Sequence, residues 1–132
     1  MIEGACLCGK VRFAVERFSS AIFKCHCSKC RKASGGASSA AAMASEEDFR
    51  WLQGEDVVRE YRTASGFTRR FCPECGSILP QFLSEHQLFW VPAGSLESDP
   101  GIALKQHIHV NSKAPWDILD EVTRKHGEGF GS

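Results

Sequence analysis

Seven cysteines among 132 residues fall into three tight groups, and their spacing limits what this chain can become. Cys6 and Cys8 form C-x-C, Cys25, Cys27 and Cys30 form C-x-C-x-x-C, and Cys72 and Cys75 form C-P-E-C-G. An odd count leaves a disulfide framework one partner short. Thiols set this close together read instead as metal ligands. Four of them suffice for a closed tetrahedral zinc site, the structural kind, while three leave a coordination position for a substrate. The expectation is one metal that holds the fold and a second that acts.

The composition is otherwise that of an ordinary globular chain, 42% hydrophobic and 24% charged. Its length fits one domain with a modest core, assigned to residues 1–124. The glycine-rich polar tail, 125–132, is expected to fray. Sixteen basic residues balance sixteen acidic ones. A protein held to nucleic acid through its phosphates shows a basic excess; only Arg31-Lys32 and Arg69-Arg70 form short basic runs here. Nucleic acid is therefore not an expected partner, nor is a membrane, since no leader and no bilayer-length apolar run is present. The cytoplasm is the expected compartment, and its reducing poise favours thiolate ligands over disulfides.

Alternation over residues 10–16 places Val11, Phe13 and Val15 on one face of a strand. Strands are also predicted over 57–63, 68–71, 78–83, 88–93 and 104–110, separated by Gly, Pro, Ser and Asp turns. Helix is sparse: a short turn at Ser45-Glu46-Glu47-Asp48 and a short helix from Pro115 to Val122. Many short strands with loop-borne metal sites predict a mainly β fold.

Cys72-Pro73-Glu74-Cys75-Gly76 is a zinc knuckle in form, and Cys6-Leu7-Cys8-Gly9 repeats its cysteine-then-glycine ending. Each glycine allows positive φ where the turn must close. Pairing Cys6 and Cys8 with Cys72 and Cys75 ties the N-terminus to mid-chain, so metal-binding energy becomes folding energy.

Cys25-His26-Cys27-Ser28-Lys29-Cys30 supplies three corners of a second tetrahedron. Three thiolates around Zn²⁺ carry a net charge of about −1 and make a soft site, better suited to a thiol than to a hydroxide. A closing histidine, or no metal at all, are the alternatives. Arg31 and Lys32 follow directly and either attract an anionic ligand or stand as solvated charges. His26 points away from its flanking cysteines if the segment is extended, which makes it a pocket residue rather than a ligand. His107 and His109 share one face of a predicted strand, while His86 and His126 carry no signal.

The ordered motifs G-x-C-x-C-G, C-H-C-S-K-C-R-K, F-C-P-E-C-G-S and H-V-N-S-K-A-P-W resemble the glutathione-dependent formaldehyde-activating enzyme family, whose domain also occurs in centromere protein V. The resemblance runs from about Gly4 to Trp116. It implies a β-tent fold of short antiparallel sheets with little helix. It implies Cys6, Cys8, Cys72 and Cys75 as structural zinc ligands, and Cys25, Cys27 and Cys30 as ligands of a catalytic zinc beside a glutathione site. Ser112, Lys113 and Trp116 match the late motif and are expected near that site.

The resemblance implies addition of glutathione to formaldehyde, the reverse of a carbon–sulfur lyase reaction. The leading expectation is thus an enzyme acting on adducts of glutathione, or a similar small thiol, with an aldehyde or related electrophile. His26 is the candidate acid. A zinc-stabilised binding module for a protein or nucleic acid is the alternative from another class, and a thiol-based sensor is a third.

Overall fold

A computed structural model describes all 132 residues. The chain runs through β1 (Ile2–Ala5), β2 (Arg12–Val15), β3 (Ile22–Cys25), the helix α1 (Ser28–Ser34), β4 (Ser39–Ser45) and β5 (Phe49–Gln53). It continues through β6 (Arg59–Arg62), β7 (Thr68–Phe71), β8 (Ile78–Leu79), β9 (Gln81–Leu83) and β10 (Leu88–Pro92). Two last strands, β11 (Leu104–Ile108) and β12 (Arg124–Lys125), complete it. The fold is mainly β, as expected, with one seven-residue helix that was not foreseen at this position.

Three sheets carry the structure, in the orders β1-β2-β5, β12-β11-β3-β4-β10-β9 and β6-β7-β8. The six-stranded sheet is mixed, because β11 runs parallel to both β3 and β12. Its fourth member, β4, reads Ser-Ala-Ala-Ala-Met-Ala-Ser and was not foreseen as a strand. Alanine has weak β preference, yet Ala41, Ala42 and Ala44 are fully buried between flanking strands. Small side chains there let neighbouring layers approach.

The first sheet packs on the second through aromatic rings. Phe49 stacks on Phe89 at 3.8 Å and on Phe13 at 5.7 Å. Burying a phenylalanine such as Phe13 stabilises by about 1.5–3 kcal/mol. A second core of Phe23, Ala41, Trp90 and Ile108 includes Cys25 and Cys30, and a third gathers Val11 and Leu79 with Cys6 and Cys72. The cysteine sites are therefore part of the core.

The segment predicted as one strand over 78–83 is two. Pro80 has no amide hydrogen to give a ladder, and there the chain leaves the β6-β7-β8 sheet for the edge of the six-stranded one.

Two expectations need correction. Residues 115–122 form no helix: Ile118 and Val122 are each 92% exposed, so no apolar face is buried to support one. Instead, the Lys113 ammonium donates to the carbonyls of Ala114 and Asp117. The tail also does not hang free. Lys125 pairs with His107, His126 is 3% exposed, and the Phe130 ring stands edge-on to Phe23 at 5.2 Å. The open edge of β11 supplies the pairing that a glycine-rich composition does not advertise.

Candidate metal centres and active site

The two knuckles meet as their spacing predicts. The loop between β1 and β2 brings Cys6 and Cys8 against Cys72 and Cys75 from the β7–β8 turn. Gly9 and Gly76 take φ of 79° and 76°, which closes each turn. All four sulfurs lie within 4.8 Å of one another. Cys6 and Cys8 sulfurs are 3.6 Å apart, and Cys8 and Cys72 sulfurs 3.8 Å apart. A tetrahedron with Zn–S of about 2.3 Å has S–S edges of about 3.8 Å, so the donor set fits zinc in both chemistry and size. The backbone supports the sulfur charge. The Val11 amide donates to Cys6 Sγ at 3.3 Å, and the Ser77 hydroxyl lies 3.2 Å from Cys75 Sγ, pulling that thiol down to about 5.

The triplet also converges: the sulfurs of Cys25, Cys27 and Cys30 lie within 4.8 Å of one another, with no fourth protein ligand in the cluster. Cys25 ends β3, and α1 follows directly. The C-x-x-C spacing is the start of this helix. Cys27 is its N-cap, with Sγ accepting from the Cys30 amide at 3.3 Å. One helical turn therefore sets the second and third ligands, and the three soft donors fit a zinc ion with one position left over.

Arg69, from β7, is a site residue that sequence reasoning missed. Its Nη2 donates to Cys30 Sγ at 3.2 Å. Its guanidinium lies 4.3 Å from the Trp90 ring centre and 4.5 Å from that of Phe67, cation–π contacts that fix its orientation. The only sequence signal was the Arg69-Arg70 pair. Contact with the Cys25 thiol, then with the Ser39 hydroxyl, and after these the charge of Arg69 draw the Cys30 thiol down to about 5 against the effect of burial, while Cys25 is raised in consequence.

Beside Arg69 lies a cavity of about 450 Å³, bounded on one side by Lys29, Lys32 and Ala33 of α1 and on the other by Tyr61, Phe67 and Phe71. Gly76 of the knuckle also lines it, so the cavity lies between the two cysteine sites. Lys32 thus faces the cavity, whereas Arg31 does not line it and its buried Nε has no hydrogen-bond partner.

His26 is 1% exposed, and its nitrogens are not among the atoms that converge with the sulfurs. Its Nε2 lies 2.8 Å from His107 Nδ1, so the two rings are hydrogen-bonded to one another. Its Nδ1 lies 3.7 Å from an Asp117 carboxylate oxygen. The late motif thus reaches the triplet loop through Asp117, a residue not singled out from sequence. Trp116 is 68% exposed, and Ser112 sits in a short 3-10 turn. His109 does not share a strand face with His107, because β11 ends at Ile108 and His109 adopts φ 58°.

Burial holds both His26 and His107 below the ordinary histidine range. Unfolded histidine titrates near ~6.5. In the interval below that value the unfolded chain binds protons that the fold refuses, so the stability this pair contributes is full above ~6.5 and is lost as pH falls. Urea melts from about pH 7.5 to about pH 5.5, at verified constant zinc content, should show declining stability, and His107→Gln should flatten the slope. A flat wild-type profile would mean that the fold accepts the charged form.

A mainly β chain with one four-cysteine and one three-cysteine cluster, each able to hold a metal ion, defines a class of two-cluster cysteine proteins. Residues 1–112 match the sequence profile described as glutathione-dependent formaldehyde-activating enzyme, and the chain belongs to that family. A Halomonas elongata protein, provisionally named a glutathione-dependent formaldehyde-activating enzyme, is 32% identical over 124 residues, covering 88% of this chain and 79% of its own. A crystal structure of a Rhodobacter sphaeroides protein matches with a TM-score of 0.61 at 25% identity, covering 77% of this chain and 97% of that one. The family ties the chain to glutathione-dependent formaldehyde activation. No helix is long and apolar enough to cross a membrane.

Proposed function

We propose that the chain makes or breaks a carbon–sulfur bond between glutathione, or a similar small thiol, and an aldehyde such as formaldehyde. The observation that carries this reading is the convergence of Cys25, Cys27 and Cys30 without a fourth protein ligand. Zinc held by those three sulfurs would favour the thiolate of a bound thiol near neutral pH. The protein's own residues supply position. The N-cap geometry of Cys27 and the Arg69 contact fix two of the three sulfurs before substrate arrives.

In the forward direction the thiolate sulfur adds to the carbonyl carbon, a carbon–sulfur bond forms, and the carbonyl π pair moves to oxygen. The resulting alkoxide takes a proton from solvent. Cleavage is the reverse. Holding both reactants beside the triplet makes the addition effectively local. The Arg69 guanidinium, which donates to Cys30 Sγ, is suited to stabilise developing negative charge. His26, paired with His107 and kept neutral by burial, acts as a positioning residue for the triplet loop. Ser112, Lys113 and Trp116 belong to the segment that Asp117 ties to that loop, and we assign them a supporting role.

Native mass spectrometry of the metal-loaded chain, with and without glutathione, tests the proposal. Two zinc ions per chain are expected, with a glutathione adduct that requires the triplet and with aldehyde-dependent consumption of the thiol. One zinc, unmoved by glutathione, would reject the enzyme reading and favour a binding module.

A further inference from the structure

Lys29 and Lys32 stand one helical turn apart on the same face of α1, and Arg69 reaches the same cavity from β7. No carboxylate lines this cavity. None of the three cations belongs to an ion pair within the chain. Elsewhere basic side chains commonly find acids: Lys10 meets Glu74, Arg12 meets Glu3 and Glu97, and Arg50 meets Glu16. The cavity floor is apolar, built from Phe67, Phe71 and Ile78. Three cations without a carboxylate partner, over an apolar floor, suit an anion carried on a partly apolar body. Glutathione carries two carboxylates on a peptide backbone.

Arg69 belongs to two environments at once. One terminal nitrogen donates to Cys30 Sγ, and the side chain also borders the cavity. A carboxylate in the cavity and the Cys30 thiolate therefore draw on one positive charge. We propose that the Lys29–Lys32–Arg69 cavity binds a carboxylate of the thiol substrate, and that Arg69 transmits its occupancy to the Cys30 sulfur. This rests on the function proposed above and adds recognition and coupling to it. An incoming carboxylate takes the N–H from sulfur or neutralises the guanidinium. In either case the sulfur becomes more electron-rich, so substrate binding tunes a metal ligand before the thiol arrives. The coupling is reciprocal: a metal that withdraws charge from Cys30 frees Arg69 to hold the carboxylate more firmly.

S-Methylglutathione separates the two ideas, since it keeps both carboxylates but has no thiol to ionise. Calorimetry on the zinc-loaded chain should detect its binding. Lys29→Ala and Lys32→Ala should each weaken it about fivefold, as expected for single exposed charges. Both residues are exposed on α1, so neither variant threatens the fold. With Co²⁺ in place of zinc, S-methylglutathione should move the thiolate-to-metal charge-transfer band to longer wavelength. In Arg69→Met the band should already lie there and stay when the ligand is added.

Binding that ignores both lysines, or that leaves the wild-type band in place, overturns the proposal, as does absence of binding. The two readings fail differently. If glutathione alters the cobalt spectrum through its thiol while S-methylglutathione does not bind, the anion site falls and the enzyme reading stands. If glutathione does no more than its S-methyl derivative, the anion site stands and the thiol reading falls.

Discussion

Cys72→Ser should yield a chain that no longer folds cooperatively. Cys72 is fully buried and packs with Cys6, Val11 and Leu79, so its sulfur belongs to the core as well as to the four-cysteine cluster. The four-cysteine cluster joins the loop after β1 to the turn after β7. Structural zinc sites of this kind contribute about 10–16 kcal/mol in isolated fingers, as much as the whole stability of a typical domain, about 5–15 kcal/mol. Losing one ligand weakens the metal and leaves a hydroxyl in an apolar setting. Far-UV circular dichroism and a thermal melt at measured zinc content check this. A sharp melt near the wild-type midpoint in a chain lacking this zinc would show that the cluster is dispensable.

Cys27→Ser should behave in the opposite way: thiol-dependent turnover falls by more than ~100-fold while the melt moves by less than about 4 °C. Loss of even an outer partner of a metal ligand costs about 10–100-fold, and Cys27 is proposed as a ligand itself. The fold is spared for a local reason. Cys27 caps α1 through its sulfur, and serine is among the preferred residues at that position. A melt change of that size corresponds to ~1 kcal/mol. Retained turnover in this variant would remove the triplet from the chemistry. Equal collapse in Cys27→Ser and Cys72→Ser would erase the division of labour between the two clusters.

The convergence of the cysteines into two clusters was legible because ligand spacing is local chemistry. Two cysteines two or three residues apart can meet one ion whatever the sheet around them does, and the paired glycines confirmed the turns. Strands with alternating or β-branched sequence, such as β2 and β7, were legible for a related reason. The alanine-rich β4 was not: its pairing comes from β3 and β10, which local sequence does not reveal. Pro115–Val122 carries helix signals, but the fold offers its apolar side chains no surface to cover. Arg69 escaped because its importance lies in meeting Cys30 and Trp90 from another strand. Its neighbour Arg70 looks the same in sequence and pairs with Glu60 instead.

The parallel pairing of β3 with β11 bears on how the molecule is made. Cys25 is aligned with Ile108, and β11 is in turn flanked by Arg124 and Lys125. Contacts so distant in sequence slow folding, and a ribosome releases the N-terminal part of a chain first. The triplet emerges early, but its sheet neighbour comes late and the strand covering that neighbour later still. A nascent chain thus shows Cys25, Cys27 and Cys30 to the cell while the strand that shelters them is still being translated. During that interval the three thiols are open to adventitious chemistry, with local spacing as the only organisation the chain yet has.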